Sequence, residues 1–231
     1  GEKLVKSEQG LLTTVAYQLG DQRPVYALEG SIAVAGSLVQ WARDNLKLVE
    51  NPQELDKLAQ SVPDCGGVYV VPAFSGLFAP YWRSDARGVN AGLTGYVTRA
   101  HLCRAILEAT AFQAHDIFKG MEKDSQISMT TLKVDGGLTN SQPLMEFQAD
   151  LLGIPVIRPS VVETTALGAA YAAGLSVGVW HDLDELATYW KEDCRWEPKM
   201  GEDERRQKIQ FWKKAVNRTL DWVAVDQDED M

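Results

Sequence analysis

Thr131-Leu132-Lys133-Val134-Asp135-Gly136-Gly137-Leu138-Thr139-Asn140-Ser141-Gln142 is the stretch from which the fold is read. Leu132 and Val134 alternate with polar neighbours, the period of a short half-buried strand. Asp135-Gly136-Gly137 breaks that period. From Gln142 onward the apolar positions Leu144, Phe147, Leu151 and Leu152, with Gln148 between them, recur at helical spacing. Strand, glycine turn and helix start together present backbone N–H groups to an anion. Adjacent glycines let a ligand approach the backbone closely, because no Cβ stands in the way. From these residues alone, an ordinary tight turn between a strand and a helix is the plainer reading.

Working downstream, residues 153–159 read as a turn and a strand. Residues 163–174 form a helix dense in alanine and glycine, with Thr164 or Thr165 available as N-cap and side chains short enough to lie close to another backbone. Two further helices are expected at 183–189 and 203–223, the latter burying Ile209, Trp212, Val216 and Leu220. Upstream, residues 100–120 carry the clearest apolar stripe: Leu102, Ala105, Ile106, Ala109, Phe112 and Ile117. His101 and His115 flank that stripe without carboxylate or cysteine at ligand spacing, so neither reads as a metal ligand.

Residues 67–73 are a buried strand, 74–82 an ordered aromatic loop, 88–94 a strand and turn, and 52–60 a short helix. Val34, Leu38, Trp41, Ala42 and Leu46 define one more helix. Gly36 is expected inside it, where glycine costs about 1 kcal/mol relative to alanine, with Gln40 one turn later on the same face. Strands are expected at 3–7, 12–17 and 23–28, with Gly20-Asp21 as a hairpin turn. Strands first, then alternating strands and helices, predict one α/β domain with no internal boundary. Its sheet is expected to be mixed, of a five-stranded type, with helices on both faces.

Composition narrows the function. The chain has 231 residues, 45% apolar and 24% charged, as ordinary globular domains have. A net charge of -9 without a basic cluster argues against a nucleic-acid partner. No apolar run reaches the ~18 residues of a membrane span. The 3 cysteines, Cys65, Cys103 and Cys194, lack metal spacing and suit a reducing, cytoplasmic compartment. The chain opens in Gly1-Glu2-Lys3-Leu4-Val5 without an initiator methionine, as if entered mid-fold.

Taken together, Val134–Ser141 followed by Phe147-Gln148-Ala149-Asp150 resembles the nucleotide-binding segment of the FGGY family of sugar and polyol kinases. Gly92-Leu93, His101-Leu102 and Ala105–Glu108 are similar to that family's second signature. Glu8–Thr14, Tyr26–Gly30, Val68–Phe74, Ala79–Trp82 and Thr165–Ala170 resemble the glycerol-phosphorylating branch more closely, and the likeness runs to about Trp222.

The resemblance implies an actin-like ATPase (ribonuclease H-like) domain over 1–225, the C-terminal nucleotide-binding half of a two-domain kinase, with an acidic tail at 226–231. It implies ATP or ADP with Mg²⁺, the metal held largely through the phosphates and an N-terminal FGGY domain. The full-length protein would form a homo-oligomer and phosphorylate glycerol. By position, Gly36 and Gln40 are nucleotide contacts, and Gly137, Leu138, Thr139, Asn140 and Ser141 form the loop at adenosine and phosphates. The family often carries asparagine where Ser141 stands, with Asn140 just before it, so either residue fits that contact. The catalytic aspartate of a Gly-Asp-Gln motif would lie upstream of Gly1. Gly20-Asp21-Gln22 does not align with it, no catalytic residue is expected in this chain, and the chain alone is expected to be inactive. A different sugar kinase of the family, or a non-catalytic actin-like binding module, are the competing readings.

Overall fold

The computed structural model describes residues 1–224; the acidic tail expected at 226–231 lies outside them. Two compact units are present: Gly1–Ser128 with residues 201–224, and Met129–Met200.

The first unit opens without the strand expected at 3–7. Ser7 turns the chain instead, its hydroxyl oxygen accepting the N–H groups of Gln9 (3.2 Å) and Leu11 (2.8 Å) while its O–H bonds Asp124. Strands β1 (Leu12–Tyr17) and β2 (Val25–Glu29) then form an antiparallel hairpin. Helix α1 spans Gly36–Asp44 and α2 Pro52–Gln60. Asn51 caps α2 by accepting the Glu54 N–H at 2.9 Å, and Pro52 sits where its missing N–H costs nothing. Strands β3 (Tyr69–Val71) and β4 (Val89–Ala91) make a second antiparallel pair.

Helix α3 (Arg99–Ser125) is the long central element of this unit. His101 belongs to its start, Nδ1 accepting the Thr98 N–H at 3.1 Å. Helix α7 (Glu202–Asn217) completes the unit; it ends earlier than expected, leaving Leu220 in the turn beyond it. Phe112 of α3 stacks on Trp212 of α7 with ring centroids 5.0 Å apart and planes 7° apart, and both rings are buried. The Trp212 indole N–H and the Tyr81 hydroxyl both donate to Asp116 Oδ2 at 2.7 Å. A carboxylate in an apolar stripe is therefore stabilised by hydrogen bonds from two aromatic side chains.

The second unit is a strand–helix–strand crossover with an added edge. β5 (Leu132–Lys133) runs parallel to β6 (Val156–Pro159), and α4 (Gln142–Leu152) connects them. β7 (Glu192–Trp196), which the sequence left unassigned, joins β6 antiparallel, giving the order β5-β6-β7. α4 buries Leu144, Phe147, Gln148, Leu151 and Leu152 and stops at Gly153, whose φ of 72° is left-handed. Helix α5 (Thr164–Ser176) starts one residue before the expected caps: Glu163 is its N-cap, without a side-chain bond. The tight approach expected of this helix is to a ring rather than a backbone. A Cβ on Gly174 would meet the Trp180 indole at 2.1 Å. Helix α6 (Leu183–Tyr189) follows, capped by Asp182.

The described strands thus group into sheets of two, two and three rather than one of five. The strands are only two to six residues long, and β3 begins at Tyr69, just beyond a turn whose Gly66 and Gly67 both adopt positive φ. Such kinks end pairing that hydrophobic pattern alone would extend.

Candidate functional site

Beyond β5, the Val134 N–H still reaches the Ile157 carbonyl at 2.9 Å. The chain then leaves the sheet at Asp135. Gly136 adopts φ 80° and ψ 176°, a region open essentially to glycine alone. Its N–H donates to Val162 O at 3.0 Å, and its carbonyl accepts both the Thr139 N–H (3.1 Å) and the Thr139 hydroxyl (2.7 Å). These bonds set a single 3₁₀ turn over Gly137–Asn140, and Ser141 then serves as N-cap of α4.

Gly137 differs from Gly136. Its φ is ordinary, and a Cβ built there would meet nothing within 4 Å. Neither conformation nor packing requires glycine at 137, so the space before this turn is open. The first N–H groups of a helical turn have no acceptor inside it. Gly137 and Leu138 open the 3₁₀ turn, so their N–H groups are the donors it leaves without an internal acceptor. Asn140 is exposed, whereas Ser141 is 6% exposed, so the two residues differ sharply in accessibility.

Arg158, absent from the sequence-derived set, holds this turn in place. Its Nη1 donates to Thr139 O at 3.0 Å and to Asn140 Oδ1 at 3.2 Å. Its Nε and Nη2 donate to Asp193 Oδ2 at 3.0 and 2.6 Å, and Trp196 lies 5.7 Å from the guanidinium carbon. The guanidinium keeps the Asp193 carboxyl below its ordinary range, and Asp193 holds Arg158 charged. The one available signal was an arginine inside the apolar strand Val156-Ile157-Arg158-Pro159.

The other expected contacts lie in the first unit. Gly36 is the first residue of α1, not an interior one, so the helix-interior penalty does not apply. With Leu38, Val39 and Ala42 buried, α1 turns Gln40 outward. The Gln40 amide has no hydrogen-bond partner among the described residues. The structure therefore gathers Gly137 to Ser141 into one turn and places Gly36 and Gln40 on one helix of the other unit. Asp21 sits in the exposed turn between β1 and β2. Among the described residues no group of three or more His, Cys, Asp or Glu side chains could hold a metal ion. Nor is any described helix long and apolar enough to cross a membrane.

A family model described as the C-terminal domain of the FGGY family of carbohydrate kinases matches residues 1–177. The chain belongs to the FGGY family. Its described fold is accordingly the actin-like ATPase fold of these kinases, including the β5–turn–α4 segment. It is 62% identical over 226 residues to a glycerol kinase of Renibacterium salmoninarum, covering 98% of this chain and 45% of that protein. A glycerol kinase of Clavibacter michiganensis is 61% identical over the same share of each. The crystal structure of Plasmodium falciparum glycerol kinase with ADP matches 97% of this chain and 44% of that one, at a TM-score of 0.88 and 42% identity. The chain therefore spans about half the length of the FGGY kinases it matches.

Proposed function

We propose that this chain is the nucleotide-binding part of a glycerol kinase, an enzyme that transfers the γ-phosphoryl group of ATP to a terminal hydroxyl of glycerol, giving sn-glycerol 3-phosphate. The observation that carries this is the 62% identity to a glycerol kinase across 98% of the chain. The likeness to an ADP-bound glycerol kinase supports the nucleotide side of the reading.

In this reading the open turn at Gly137 admits the nucleotide phosphates. The N–H groups of Gly137 and Leu138 would bond phosphate oxygens at the positive end of α4. Thr139 shapes the turn from within, through its bonds to Gly136 O. Asn140, being exposed, is the better placed of the Asn140–Ser141 pair to touch ligand, while Ser141 starts the helix. Gly36 and Gln40 would contact the adenosine, the glycine by leaving room and the amide by hydrogen bonding.

Mg²⁺ would neutralise charge developing on the transferred phosphoryl group. Asp135 adjoins the turn and is exposed, Asp193 is taken up by Arg158, and no described group of three or more potential ligands could hold a metal, so the donor set fits a metal carried on the nucleotide rather than one caged by this chain. The catalytic base and the glycerol contacts would come from an N-terminal FGGY domain, with residues 1–225 acting as one functional domain. The parent protein would be a cytoplasmic homo-oligomer.

Phosphoryl transfer depends on positioning and charge neutralisation from both domains of such a kinase, so the 231-residue chain alone should turn over no substrate. The test is an ATP-dependent assay of the parent protein with glycerol, a pentulose and gluconate in parallel. Preference for glycerol supports the reading; turnover of a sugar with none of glycerol overturns it.

A further inference from the structure

The first unit contains a cleft of about 420 Å³ between the C-terminal half of α3 and α7, unrelated to the glycine turn. Its walls include Pro80, the Tyr81 ring and Ile209, and Gly120 adds no side chain to fill it. Three ammonium groups, Lys119, Lys123 and Lys213, line it against one carboxylate, Asp116. That is a local positive surplus in a chain of net charge -9.

The pairing of these lysines is unequal. Lys119 bonds Glu122 Oε2 at 2.7 Å. On α7, Lys208 pairs with Glu204 at 3.8 Å, and Lys214 lies 4.7 Å from the Phe211 ring centre. Lys123 and Lys213 have no carboxylate within ion-pair distance among the described residues. Asp116 does not fill that role. Its Oδ2 is taken by Tyr81 and Trp212, and its Oδ1 faces His115 Nδ1 at 3.3 Å.

We propose that this cleft binds a small organic phosphate monoester. Two unpaired ammonium groups match the charge of about -2 that such an ester carries near neutral pH. Lysine serves phosphate as a point charge and needs no bidentate geometry. The apolar wall of Pro80, Tyr81 and Ile209 suits a short carbon skeleton, and the volume falls within the range of ligand pockets. Because the lysine tips are exposed, binding is salt-sensitive.

The experiment titrates the full chain with propyl phosphate, a monoester of charge about -2 near neutral pH, by calorimetry, with inorganic phosphate as comparator. The parent should show saturable binding, tighter for the ester than for inorganic phosphate. The Lys123→Gln/Lys213→Gln double variant should lose about tenfold or more in affinity, the size of one lost charge-assisted contact. Its circular dichroism should be unchanged, since both side chains are exposed. Gly137→Val, in the other unit, should bind the ester as the parent does, which separates this cleft from the nucleotide turn. An unchanged affinity in the double variant overturns the proposal, as does loss of ester binding in Gly137→Val. No saturable binding by the parent at concentrations up to about 10 mM, where complex formation is worth less than about 3 kcal/mol, also overturns it.

Discussion

Replacing Arg158 by alanine tests whether the nucleotide turn is held from outside. The guanidinium makes two hydrogen bonds to the turn, at 3.0 Å to Thr139 O and 3.2 Å to Asn140 Oδ1. A bond from a charged donor is worth about 1.5–3 kcal/mol. The Arg158 side chain is 17% exposed, so water can rehydrate the Thr139 carbonyl after truncation, and the pair together should be worth about 2 kcal/mol. Asp193, 44% exposed, is left to solvent at little cost.

If that energy holds the turn in its ligand-ready shape, ADP affinity should fall by up to about 30-fold. In a domain of this size the melting temperature should drop by about 4–8 °C. Calorimetric titration with ADP and a thermal melt read the two effects separately. Arg158→Lys keeps the charge but cannot reach both the turn and Asp193 with one fork, so it should fall between parent and alanine. A full drop in melting temperature with ADP affinity within about twofold of the parent would show a purely structural residue and refute the positioning argument. No change in either quantity would refute the clamp itself.

Gly137→Val should cut ADP affinity by about tenfold or more while stability moves within about 0.5 kcal/mol, because nothing in the protein occupies the space a side chain would enter. Equal ADP affinity in variant and parent sinks the nucleotide assignment of this turn. Gln40→Ala should cost about 1–2 kcal/mol in ATP or ADP binding and little in stability, since the amide is exposed; an unchanged KM for ATP counts against Gln40.

Asn140→Ala should weaken nucleotide binding more than Ser141→Ala, whose larger effect should be on the melt because Ser141 is buried; the reverse order would assign the contact to Ser141. Asp85 predicts an acid limit. Its carboxylate accepts a fork from Arg83 and the Asp221 N–H, and the Arg83 hydrogen bond holds it down to about 2. The folded pKa lies below the ordinary value, so this stabilisation is complete above about pH 4 and is lost as pH falls toward 2. In Asp85→Asn that part of the pH dependence should vanish, as followed by hydrogen exchange at Asp221 and Val223; an unaltered profile would refute it.

Local signals were dense enough in the sequence to specify several elements outright. Pro52–Gln60 is helical between the bounds expected of it, because Asn51 and Pro52 mark the start by side-chain and ring chemistry. Gln142–Leu152 likewise follows from apolar spacing closed by Gly153, and the glycine turn before it from the conformation only Gly136 tolerates. The family likeness also rested on contiguous residues, and it was legible for the same reason.

Other features depend on partners far apart in the chain, and only the tertiary structure decided them. Strand β7 is polar and mostly exposed, so no alternation marks it; it exists because β6 offers a free edge. The strand expected at 3–7 gives way to a turn because Asp124, 117 residues away, takes the Ser7 hydroxyl. Asp116 is buried because Tyr81 and Trp212 converge on it from other elements. Arg158 becomes a clamp only when β7 delivers Asp193, 35 residues on, to its other side. Backbone conformation is chosen by nearest neighbours, so the turn at Gly136-Gly137 could be read directly. What secures that turn is a set of bonds closed by folding, and sequence spacing carries no record of them.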